Sequence, residues 1–65
     1  MYSTLRAEIA RKEFKITDLA KRIGMADSTL SHKINGKSPW TLSECRKVQK
    51  ALEVNMTIDD LFKED

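Results

Sequence analysis

Gly24 restricts the fold of this chain more than any other residue, because it divides two short stretches with apolar residues at helical spacing. Leu19, Ala20 and Ile23 precede it, and Leu30 and Ile34 follow it. Each set falls on one face of an α-helix. A glycine just past the last apolar residue accepts left-handed backbone and stops the first helix there. Two helices joined by so short a turn must cross steeply. Ala20 is small enough to let the second helix approach, whereas a larger side chain would push it away. The pattern predicts helices over residues 16–23 and 27–34.

Similar signals divide the rest of the chain. Leu5 and Ile9 predict a helix over residues 3–12, with Phe14 packing beneath the next one. Asn35-Gly36 ends the third helix with residues that tolerate positive φ. Thr41-Leu42-Ser43-Glu44 has the form of a capping box and opens a fourth helix bearing Leu42, Cys45, Val48 and Leu52. Trp40, just before that cap, is placed to staple onto Cys45. Thr57 followed by Asp60 opens a short fifth helix with Ile58, Leu61 and Phe62. No alternating strand pattern, repeat or linker interrupts this reading. The expectation is one compact, all-α, five-helix domain over residues 1–65.

The thinness of the core narrows the function classes. A chain of 65 residues buries only roughly 60% of the surface exposed on unfolding. Cys45 is the one cysteine and His32 the one histidine, so neither a disulfide nor a structural zinc site is expected. Cys45 reads as a small buried hydrophobe suited to a reducing cytosol. No stretch approaches the ~20 apolar residues of a membrane span, and residues 1–6 lack a signal-peptide core. The sequence offers no triad spacing, no glycine-rich phosphate loop and no metal cluster. Asp59-Asp60 fits the first turn of a helix, where acids favour the dipole. An enzyme, a cofactor, a membrane partner and a small-molecule ligand are therefore not expected.

Charge is divided along the chain. Residues 1–40 hold eight Lys/Arg against four acids, and residues 41–65 hold four against six. Such a split suits a domain that turns one face toward phosphates, although a solvated surface looks the same by charge alone.

The residues Leu19-Ala20, Gly24, Ser28-Thr29-Leu30-Ser31, Asn35-Gly36-Lys37 and Leu52-Glu53-Val54, with Ile58-Asp59-Asp60-Leu61-Phe62, resemble the Cro/repressor family of helix-turn-helix regulators. The resemblance runs from about Leu5 to Phe62 and is closest in style to small phage Cro proteins. It implies a λ-repressor-like fold, a bacterial or phage-infected cytoplasm, and binding to double-stranded operator DNA, usually as a two-fold homodimer. By family position, Asp27, Ser28, Thr29 and His32 read bases, and Lys15, Asn35, Lys37 and Ser38 hold phosphates, with Lys33 an outlying phosphate candidate. Helical periodicity independently sets Ser28, His32 and Asn35 opposite Leu30 and Ile34. Lys21 and Arg22 read more readily as solvated. The absence of a second-domain signal favours a Cro-like protein over a two-domain repressor, although a fragment of a longer repressor would look the same. Dimerisation is expected through the last two helices, with recognition helices ~34 Å apart.

The sequence departs from the family at three places. Ile16 stands where a glutamine often holds phosphate, which leaves the start of the second helix open between Ile16 and Thr17. Ala26 replaces a frequent Ser/Thr cap, so Asp27 is a candidate cap as well as a base reader. Ile9 and Ile34 replace a buried arginine–glutamate pair, a swap that packed aliphatics tolerate, and they are expected to touch. A rival class also remains open. The same fold serves as a protein-binding module, such as an antitoxin or antirepressor, with Trp40, Met56 and the fifth helix gripping a partner.

Overall fold

The computed structural model describes residues 2–64. Those residues form five helices: α1 (Ser3–Arg11), α2 (Ile16–Ile23), α3 (Asp27–Ile34), α4 (Leu42–Leu52) and α5 (Ile58–Leu61). No strand occurs among the described residues. The all-helical class and the order of elements follow the periodicity. α1 closes one residue early, at Arg11 with Lys12 as its cap, Phe62 is the cap of α5 and not part of it, and Leu42 is exposed at the start of α4.

Helix termination explains much of the topology. Gly24 caps α2 at φ 71°, with the Met25 N–H donating to the Ala20 carbonyl at 2.9 Å. Gly36, at φ 77°, closes α3 in the same way, with the Lys37 N–H reaching the His32 carbonyl at 2.8 Å. These bonds satisfy carbonyls that a helix end would otherwise leave open. Glu13 (φ 59°) and Glu53 (φ 53°) end α1 and α4 in the same left-handed region, without glycine's freedom. The Phe14 N–H donates back to the Ile9 carbonyl at 3.1 Å, which turns the chain toward α2.

α2 packs mainly on α3 and α4, and α5 rests on α4 and α1. Leu5, Leu19, Leu30, Val48, Leu52 and Leu61 are fully enclosed at the centre. Ile9 and Ile34 are buried in this same cluster, as expected of aliphatics standing in for an ion pair. Phe14 is half-buried against the core. Trp40 also packs on it, and its ring contacts are edge-on with Phe62 (4.8 Å) and Tyr2 (6.3 Å). The Tyr2 hydroxyl donates to Glu64, tying the first described turn to the last. Cys45 is buried, and burial, followed by the nearby Glu44 charge, pushes its thiol up. It therefore stays protonated and packs as a hydrophobe.

Candidate nucleic-acid interface

α3 is anchored by one face and open on the other. Leu30 and Ile34 are buried, whereas Asp27, Ser28, Thr29 and His32 are all exposed. With ~100° between successive residues, Ser28 and His32 share one line along the outer face and Thr29 flanks it. The four candidate base readers thus form one continuous polar surface on a helix held by its other side. Their chemistry suits base edges: hydroxyls donate or accept, His32 can donate to guanine, and Asp27 accepts from a cytosine amino group.

The start of α3 carries no seal. Ala26 occupies the cap position and makes no side-chain cap bond. Asp27 is the first helical residue and not the cap, so its carboxylate is not consumed in that role. α2 likewise begins at Ile16, behind Lys15, which provides no side-chain cap. Lys15 and Lys37 are exposed, and Ser38 is half-buried. Asn35 is exposed, but its side-chain oxygen accepts a hydrogen bond from the Arg6 guanidinium. Arg6 is thereby brought beside the end of α3, a placement the sequence reading missed. The two residues lie 29 positions apart, and no local pattern links them.

Lys33 is corrected as a phosphate candidate. Only 9% of it is exposed, and its ammonium donates to the Pro39 carbonyl at 2.7 Å and pairs with Glu44 Oε1 at 3.1 Å. The same Glu44 oxygen accepts the Thr41 N–H at 3.0 Å, and Thr41 Oγ1 accepts the Glu44 N–H at 3.2 Å. The capping box read from the sequence is complete. The backbone bond from Thr41, reinforced by Lys33, holds the Glu44 carboxyl below the usual carboxylate range against the opposing effect of burial.

Lys21 and Arg22 are exposed, and the Arg22 guanidinium lies over the Phe14 ring at 5.1 Å. Arg22, Lys47, Lys50 and Ala51 line a shallow open groove. No group of three His, Cys, Asp or Glu residues among the described residues is arranged to hold a metal ion. Among the described residues no helix is long and apolar enough to cross a membrane.

Neither a curated protein nor a solved structure gives a significant match. A family model described as the Cro/C1-type HTH DNA-binding domain matches residues 4–63, which takes in all five helices but for Ser3 at the start of α1. In helix-turn-helix domains the second helix of the motif lies in the major groove. The chain belongs to the Cro/C1-type helix-turn-helix DNA-binding domain family.

Proposed function

We propose that this chain is a Cro-like repressor that reads operator DNA by laying α3 in the major groove. The observation that carries the reading is the joint exposure of Asp27, Ser28, Thr29 and His32 on a helix whose opposite side is buried. In this reading Ser28 and His32 contact base edges, and Asp27 selects against wrong bases by repulsion as much as it attracts the right one. Lys15, Lys37, Ser38 and Asn35 hold phosphates, which orients the protein without reading sequence. Two copies bind a two-fold operator through a contact at α4 and α5, in the cytoplasm of a bacterium or a phage-infected cell.

Trp40 and Met56 are partly buried against the core, which supports a packing role for them over a grip on a protein partner. A gel shift against the DNA upstream of the chain's own coding region, in about 100 mM salt, separates the classes. Selective binding that weakens steeply with salt supports the regulator. Binding indifferent to sequence, or none, overturns it.

A further inference from the structure

Lys33 is the one charged residue among the described residues that the fold buries. Its side chain leaves the recognition helix and reaches two points beyond it. One is the Pro39 carbonyl, in the loop that carries Lys37 and Ser38, and the other is Glu44, in the first turn of α4. The face of the Trp40 ring lies 6.0 Å from the ammonium. An ammonium has three donors, and this one uses at least two on separate segments. Glu44 Oε1 is the meeting point, since it takes both the Lys33 ammonium and the Thr41 amide.

We propose that Lys33 is a positioning residue that fixes the α3–α4 loop against the recognition helix, so that base readers and phosphate holders meet DNA as one rigid surface. The inference rests on the DNA-binding reading above. Its physical basis is that a largely enclosed ion pair adds little net stability over packed apolar groups, while in some proteins such a pair fixes one arrangement. Lys37 and Pro39 are exposed and Ser38 only half-buried, so packing fixes this part of the loop little. Here the fixity comes from a cation too enclosed to reach phosphates. Lys33 therefore acts on affinity through Lys37 and Ser38 and not by its own charge on the duplex.

The probe is a duplex selected by the wild-type chain from a random-sequence pool, with binding measured over a range of salt concentrations. The variants are Lys33→Met, Glu44→Gln and the double substitution. Glutamine also serves in a capping box, so Glu44→Gln keeps the cap and loses the charge. Each single variant is expected to bind about tenfold more weakly, and the double no more weakly than either single. The salt slope is expected to match the wild type in all three, because a direct phosphate contact would lower it by about 0.9. A reduced slope in Lys33→Met, wild-type affinity in both single variants, or additive losses overturns the proposal.

Should Lys33→Met fail to fold, the affinity and slope of Glu44→Gln decide the matter. If the wild-type chain selects no duplex, the DNA reading itself falls, and the latch is then judged in the free protein by amide hydrogen exchange. The Lys37 amide, which donates to the His32 carbonyl, exchanging about tenfold faster in Glu44→Gln supports it. Unchanged exchange overturns it.

Discussion

At the start of α4, Thr41 and Glu44 close a complete capping box, and Lys33 adds a third partner. At the start of α3, the corresponding position holds Ala26, whose methyl group accepts nothing. Both helices lean on the same core, through Leu30 and Ile34 in one case and Val48 and Leu52 in the other. The difference therefore lies in how each end is finished. α4 satisfies its first amides internally, with charge already matched. α3 leaves Asp27, Ser28 and Thr29 exposed, with their polar groups facing outward. The start of α4 is sealed by its own side chains, and the start of α3 is left open.

The comparison presumes that α3 is seated by its inner face, and the largest effect tests that seat. Ile34 is 3% exposed, and Ile34→Glu places a carboxylate among the aliphatics of the core. A loss of about 3–5 kcal/mol is expected, the scale of an uncompensated buried charge. Thermal unfolding reads it directly, and an unchanged Tm would mean that Ile9 and Ile34 do not form the packed contact inferred for them.

On the outer face the effects should fall on binding instead. Ser28→Ala and His32→Ala are each expected to weaken selective duplex binding by about 1–3 kcal/mol. Both sites are exposed, so stability should stay within about 0.5 kcal/mol of the wild type. If Tm moves and binding does not, that polar face belongs to the fold and not to an interface.

What could be read from the sequence follows the range of each interaction. The stops at Gly24 and Gly36 were legible because glycine is the residue that takes positive φ freely. The capping box was legible because its partners lie three residues apart. The left-handed turns at Glu13 and Glu53 were not, since glutamate carries no turn signal. Lys33 looked like a surface cation because its burial depends on Glu44, in another helix. The outer face of α3 was legible from period alone, since Leu30 and Ile34 fix which side turns inward. The Arg6–Asn35 bond joins two exposed residues across the fold and left no trace in local pattern.

The sealed end can be broken by Thr41→Ala. Loss of the cap should cost about 1 kcal/mol, a fall of roughly 4–8 °C in Tm for a domain of this size. Base preference should not change, and a changed preference would show that the two helix starts are not independent. Acid is a gentler probe of the same end. The Glu44 carboxyl titrates below the ordinary carboxylate range, so its folded form holds the proton less tightly than the unfolded chain does. Its contribution is fully present above that range and is lost as pH falls through its depressed titration. Glu44→Gln should flatten the fall in Tm on acidification, and an identical acid profile would remove Glu44 from the account.

The smallest effect comes from sealing the end that nature left open. Ala26 already has extended backbone, at φ −69° and ψ 146°, the conformation a capping residue adopts. Ala26→Ser would let a hydroxyl accept the amide of Thr29, raising stability by roughly 0.5–1 kcal/mol. The same bond engages a helix-start amide of the kind that meets a DNA phosphate. Stability should therefore rise while selective duplex affinity falls, and the two opposed changes can be measured on one sample. A variant that gains stability and keeps full affinity would show that the open start of α3 has nothing to do with its ligand.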